Sequence, residues 1–202
     1  MIAALFSFAI ASLLIELTPG PNMTYLAVLA AARGRVPGLA AVGGVALGLT
    51  LLGALAVLGL GALVLEHPWL YQSLRWAGVA YLLYLAWEAW SDSRKPIDAL
   101  SPDGSNWRYF RRGLMTNLLN PKAALFYITV MPSFFTAATM REAILFSAVY
   151  VVVATGIHAG VVLLAGSVRP LLTAPQRRRA MGWIFALLLL GIAVWVAMAS
   201  AR

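Results

Sequence analysis

Residues Leu17-Thr18-Pro19-Gly20-Pro21-Asn22-Met23 interrupt an apolar run that extends from about Ile2 to Ala32. No regular helix continues through them. Each proline removes a backbone donor and its ring clashes with the preceding turn, and Gly20 permits backbone angles closed to other residues. Lipid offers the freed backbone groups no hydrogen bonds, so the break must face protein or a solvated cavity. Pro21 and Asn22 stand where a second half-helix restarts, and its N-terminal N–H groups form a positive dipole end suited to a carboxylate. A packing kink is the simpler use of a single proline. Two prolines around a glycine, flanked by Thr18 and Asn22, favour a solute site.

A second interruption, Asn117-Leu118-Leu119-Asn120-Pro121-Lys122, mirrors the first. Asn120 is a good N-cap and Pro121 suits the first helical position, so another half-helix N-terminus points into the protein. Lys122 adds a full charge, which is costly in a membrane and usually functional there. It could hold a substrate carboxylate, titrate in a proton-coupled cycle, or snorkel to the interface ten residues past Arg112.

Both breaks lie in a chain of 202 residues with 62% hydrophobic and 11% charged types, where a soluble domain has roughly 45–50% and about 25%. So short a chain cannot bury that much apolar surface in water. Runs of about 20 apolar residues mark membrane spans, and six are expected: about Ile2–Ala32, Pro37–Leu65, Leu70–Trp90, Gly113–Phe135, Ala143–Val168 and Ala180–Ala199. Met1 to Leu17 has no basic residue ahead of it and reads as a retained first span, not a cleaved signal. Eleven of the fifteen Lys and Arg fall on one side: Arg33 and Arg35; Arg94, Lys95, Arg108, Arg111 and Arg112; Arg169 and Arg177 to Arg179. Arg75, Arg141 and Arg202 fall on the other. The positive-inside rule puts the eleven in the cytoplasm and both termini outside.

Three spans in each half, of opposite orientation, make the halves inverted repeats, each opening with a broken helix. This is a recurring secondary-transporter design, with the site at the repeat interface. Arg75–Gly78 and Arg179–Gly182 repeat an Arg-x-x-Gly pattern at the third span of each half. The expected fold is therefore all-α: one polytopic membrane domain over residues 1–202, six transmembrane helices, two inverted three-helix repeats (about 1–92 and 110–202), and a cytoplasmic linker over about 93–109.

Glu16 is the only carboxylate deep in an expected span; it could bind a substrate amine, carry a proton, or pair with Lys122 across the halves. His158, in Gly156-Ile157-His158-Ala159-Gly160, reads first as a hydrogen-bonded interior residue and second as a proton relay. Tyr81, Tyr84, Trp87 and Trp90 divide between the site and the interfacial belt, to which Trp69 and Trp107 also belong. The second span carries Gly38, Gly43, Gly44, Gly48, Gly53, Gly59 and Gly61, which let helices approach closely and could serve a moving gate or a homodimer face. No cofactor or metal is expected: there is no cysteine, and no second ligand stands near His158 at metal spacing. The net charge of +8 follows the positive-inside pattern and not a nucleic-acid surface. A membrane-embedded enzyme would want a Ser/His, paired Asp or His/Glu constellation, for which one deep Glu and one His do not suffice.

Leu17 to Met23 resembles the opening signature of the lysine exporter and homoserine/threonine exporter family. Phe110-Arg111-Arg112-Gly113 through Asn117, Asn120-Pro121-Lys122-Ala123 and Phe126 resembles its second signature, and Ala77 to Leu85 its third-span pattern. Two departures, Ser133 within Pro132-Ser133-Phe134 and Ala86 after the Tyr-Leu run, bear on substrate identity. The resemblance implies a multi-pass bacterial inner-membrane exporter of amino acids or related metabolites, driven by the proton motive force. Its substrate would be bound by Thr18, Pro19, Gly20, Pro21, Asn22, Tyr81, Asn117, Asn120, Pro121 and Lys122, with Glu16, Lys122 and His158 as proton-coupling candidates. The wider superfamily adds other small solutes and cations as alternative cargo.

Overall fold

The computed structural model describes residues 1–18, 20–59, 66–94, 105–137, 139–167 and 175–199. These are all helical or connecting. The helices are α1 (Ile2–Leu17), α2 (Pro21–Arg33), α3 (Arg35–Val57), α4 (Pro68–Arg94), α5 (Asn106–Leu118), α6 (Pro121–Leu125), α7 (Met140–Ser167) and α8 (Pro175–Ala199). After α6 the chain widens into a π turn, Phe126–Val130, and tightens into a 3-10 turn, Met131–Phe134.

Both expected interruptions are present. α1 and α2 meet at a 59° bend, and α5 ends at Leu118 before α6 restarts at Pro121. By length and composition α3 and α7 can each cross a membrane, and the bent pair α1–α2 can serve as a third span. The remaining helices fall short because charges and breaks divide them: Arg75 and Glu88 lie within α4, α5–α6 is split, and the apolar part of α8 is Gly182–Met198. Leu51, Leu55, Val152, Leu164 and Leu187 point outward and exposed, as a lipid-facing surface requires.

Several boundaries differ from expectation for local reasons. α3 ends at Val57, where Gly59 turns the chain at φ 77° and its N–H returns to Ala56; residues 60–65 of the expected span lie outside the described residues. α5 begins at Asn106, inside the expected linker, because Ser105 caps it by accepting from Trp107 N at 3.1 Å. α7 starts at Met140, where the Glu142 N–H donates to Thr139 Oγ1 (3.3 Å) and the Glu142 carboxylate accepts from the backbone of Thr136 and Ala137.

Contacts fix the helix directions. α3 and α7 are antiparallel: Gly38 meets Val162 at one end and Gly53 meets Ser147 at the other. α4 and α8 are antiparallel, with Arg75 donating to Ala197 O near one end and Trp90 edge-on to Trp183 at 5.8 Å near the other. α1 runs with α7, from Phe8 on Phe146 (4.9 Å) to Glu16 on Tyr150. It runs against the α6 segment, from Phe8 on Phe134 (5.3 Å) to Ile15 on Lys122. α3 runs with α5, from Gly43 on Phe110 to Gly48 on Asn117, and here the glycines act. A Cβ on Gly44 would fall 1.9 Å from Phe110 O, and one on Gly113 2.0 Å from Ala41 O. The two backbones touch, as small residues allow in membrane interfaces.

Candidate functional site

The two breaks lie against each other, and Lys122 joins them. Its Nζ donates to Ile15 O at 2.7 Å and to Thr18 O at 2.8 Å. These carbonyls belong to the last turn and C-cap of α1 and form the negative end of the helix dipole; Ile15 O also accepts from the Thr18 N–H at 3.1 Å. The ammonium therefore caps a half-helix from the opposite half of the chain. Two of its three donors are used in this way.

Beyond the ammonium lies a cavity of about 270 Å³, bounded by Ile15, Pro21, Asn120, Pro121, Lys122 and Trp195 among others. Its volume is close to the lower end of small-molecule sites, roughly 300–1,000 Å³. Asn120 accepts from Lys122 N at 3.0 Å and so caps α6. α2 begins at Pro21 with Gly20 as its N-cap and carries no side-chain cap, which leaves the first N–H groups of α2 for another acceptor. Gly20 itself is extended (φ −159°, ψ 179°), a conformation open to any residue. A Cβ there would stand 3.4 Å from Lys122 Cδ, in ordinary contact with the lysine stem.

Behind the ammonium is a buried acid–base cluster. Tyr150 Oη donates to Glu16 Oε1 at 2.6 Å, and His158 Nε2 lies 3.2 Å from Glu16 Oε2. The His158 side chain is 1% exposed and that of Glu16 9%. Lys122 is within electrostatic reach of Glu16. One carboxylate thus sits among a phenol, an imidazole and an ammonium, in a place shielded from water. A buried carboxylate is retained only with such partners.

The expected site residues separate into three groups. Thr18, Gly20, Pro21, Asn120, Pro121 and Lys122 converge on the contact between the breaks, with Glu16 and His158 behind it; Pro19 lies outside the described residues. Asn22 and Asn117 are buried near the breaks, and their side chains lack hydrogen-bond partners at Oδ1 and at both amide atoms respectively. Tyr81 is elsewhere: it stacks on Tyr84 (6.1 Å between centroids) and pairs with Thr116 on the other side of the α5–α6 break.

Two participants escaped sequence reasoning. Tyr150 precedes His158 by eight residues on α7, so the two share a helix face, a spacing that could have drawn attention to it. Glu88, near the end of α4, accepts from Arg108 at 2.7 Å and Arg112 at 2.5 Å, both on Oε1. Its partners lie in sequence beyond the linker, and no local pattern announces them.

Residues 13–200 match the family model of the LysE type translocator. The chain is 26% identical to a homoserine/homoserine lactone efflux protein of Salmonella typhimurium over 200 residues, 98% of this chain and 96% of that protein. It is 32% identical to a leucine efflux protein of the same organism over 64% of this chain and 62% of the relative. It is 27% identical to a threonine efflux protein of Salmonella typhi over 66% and 68% respectively. No solved structure matches. These relatives are efflux proteins and not enzymes, and a match across nearly the whole length means that this chain is a membrane protein belonging to the LysE type translocator family.

Proposed function

We propose that the chain exports an amino acid or a closely related metabolite across the bacterial inner membrane, in exchange for protons, by alternating access between two inverted three-span halves. The observation that carries this reading is the Lys122 contact: one ammonium ties the two helix breaks together at the wall of a small cavity. The substrates named for the relatives support the chemical class, since homoserine, leucine and threonine share an α-carboxylate and an α-ammonium. The antiparallel runs of α1 against α6, α3 against α7 and α4 against α8 support inversion, and the eleven basic residues on one side support termini in the periplasm.

In this mechanism the substrate carboxylate lies at the uncapped N-terminus of α2 and takes the remaining donor of Lys122. The contact of Lys122 with α1 loosens as it does so, which couples binding to relative movement of the halves. The buried Glu16–His158 pair holds the exchanged proton. A carboxylate and an imidazole can pass one proton between them, and Tyr150 orients the carboxylate.

The deciding experiment is efflux of radiolabelled homoserine, threonine and leucine from loaded vesicles with and without an imposed proton gradient. Gradient-accelerated efflux of at least one is expected, and no efflux of any would overturn the reading. Glu16→Gln removes the titrating carboxylate. It should abolish the gradient effect while exchange of labelled for unlabelled substrate continues within about threefold of wild type, a difference of ~0.65 kcal/mol. Gradient-driven efflux that survives Glu16→Gln would move the proton to Lys122.

A further inference from the structure

A second polar cluster lies on the other side of the breaks from the cavity. Along the α5–α6 span the cavity is lined by Pro121 to Val130, whereas the cluster draws on Arg108, Tyr109, Arg112 and Thr116. From Arg112 to Asn120 is eight residues, about 12 Å of helix. Three helices contribute. Tyr81, Tyr84 and Glu88 follow one another at helical spacing on α4, and Arg108, Arg112 and Thr116 do so on α5. Tyr25 comes from α2. At the centre the Arg112 guanidinium is 2.5 Å from Glu88 Oε1; the two side chains are 17% and 14% exposed. Arg108, 56% exposed, closes the outer side at 2.7 Å. Tyr25 is within electrostatic reach of Arg112, Glu88, Tyr81 and Tyr109, is 4% exposed, and its hydroxyl has no hydrogen-bond partner.

An unpartnered buried hydroxyl beside a half-buried ion pair calls for an explanation, because leaving such a group unpaired is costly. Parting Arg112 from Glu88 would strand the guanidinium in a poorly solvated place and leave Glu88 to Arg108 alone. A zwitterion avoids that cost, since it brings one charge for each member of the pair. We propose that the Glu88–Arg112 pair is the cytoplasmic reception site for the amino acid: the fork of Arg112 takes the α-carboxylate, Glu88 takes the α-ammonium, and the Tyr25 hydroxyl completes the carboxylate's hydrogen bonds. Without a zwitterion the pair closes on itself and seals that face. With one, it opens at little electrostatic cost and passes the substrate past Asn117 and Asn22, whose buried amides lack partners, to the Lys122 site. Arginine suits the first role because its planar donors match a carboxylate.

The inference rests on the proposed export of amino acids, and its test keeps the two apart. Counterflow of labelled homoserine, threonine and leucine is measured from each face, in inside-out and right-side-out vesicles. Arg112→Gln and Glu88→Gln are expected to raise the half-saturating concentration at the Arg112 face at least tenfold and at the opposite face less than twofold. Wild type should discriminate against the methyl ester at the Arg112 face, and Arg112→Gln should lose that discrimination. Tyr25→Phe, which removes only the hydroxyl, should give a rise of about threefold. If Arg112→Gln does not reach the membrane, Arg112→Lys, which keeps the charge but not the fork, is read in its place. Equal change at both faces, or a leak with unchanged half-saturation and intact ester discrimination, would make the pair a structural lock and overturn the inference alone. Wild-type vesicles that carry none of the three would overturn the export reading and this inference with it.

Discussion

The two breaks are alike in sequence but opposite in chemistry. The first ends a helix on two carbonyls, Ile15 O and Thr18 O, that accept from a lysine of the other break, and starts the next helix without a side-chain cap. The second is complete in itself: Asn120 caps α6, the backbone N–H of Asn120 returns to Asn117, and Lys122 follows as a spare cation. One break is short of donors and the other supplies them. Two identical breaks would either leave α1 unsatisfied or crowd two ammonium groups into one cavity. The two breaks thus divide their roles, the first accepting the cation and the second, self-capped, carrying it.

Lys122→Ala is the most severe way to break this pairing. It leaves Thr18 O without its donor, at about 1–3 kcal/mol, takes one of two donors from Ile15 O, and removes the ammonium that joins the two breaks. Efflux from loaded vesicles should fall about 100-fold, equivalent to ~2.7 kcal/mol. Lys122→Arg, which retains donors, should recover part of it. Unchanged efflux in the alanine variant would remove Lys122 from both capping and substrate binding. Next in size is Gly78→Ala. A Cβ on Gly78 would stand 2.3 Å from Leu119 O, at the mouth of the second break. Overpacking against rigid backbone costs roughly 1–3 kcal/mol, so the midpoint of thermal aggregation in detergent should fall. The second break has no space to yield here, because α4 lies directly on it.

How far the sequence leads depends on whether a feature is local. Prolines and glycine beside asparagine state that a helix must stop, wherever the chain is placed, so both breaks and the capping role of Asn120 were legible from Thr18–Asn22 and Asn117–Lys122. The family followed from the same residues. Partnership was not legible. Glu16 could equally have paired with Lys122, and only packing directs it to Tyr150 and His158, which lie on α7 more than 130 residues away. Tyr81 falls in a recognisable third-span pattern, but that pattern does not reveal that α4 places it against Thr116 and Tyr84, apart from the Lys122 contact. The turn at Gly59 was hidden in a different way: a periodic apolar run does not reveal where one of its glycines takes a positive φ.

The capping difference itself is tested by Asn120→Ala. Loss of an Asn N-cap costs about 0.5–2 kcal/mol, typically ~1, and here it frees the Lys122 N–H that Asn120 Oδ1 now accepts from. The second break would then resemble the first, with an uncapped helix start beside the cavity. Stability in detergent should drop modestly. Because a new anion-accepting end is created, apparent affinity for substrate should change by less than the stability loss would suggest. A fall in efflux as deep as that of Lys122→Ala would mean that Asn120 binds substrate directly.

The smallest effect is expected at Gly20, and it separates two explanations of the first break. If glycine were needed there for its backbone freedom, Gly20→Ala would be strongly destabilising. The observed angles lie in the extended region open to alanine, and the added methyl would sit 3.4 Å from Lys122 Cδ, an ordinary contact with a flexible side chain. Stability should therefore stay within about 0.5 kcal/mol of wild type, as at sites without a special mechanism. A larger residue is a different matter: Gly20→Val would press on the Lys122 stem and draw the ammonium from Thr18 O. The pair of variants thus measures how much of the first break's behaviour belongs to its own backbone and how much to the lysine it holds. A loss with alanine equal to that with valine would return the glycine to a conformational role and leave the ammonium as a passenger.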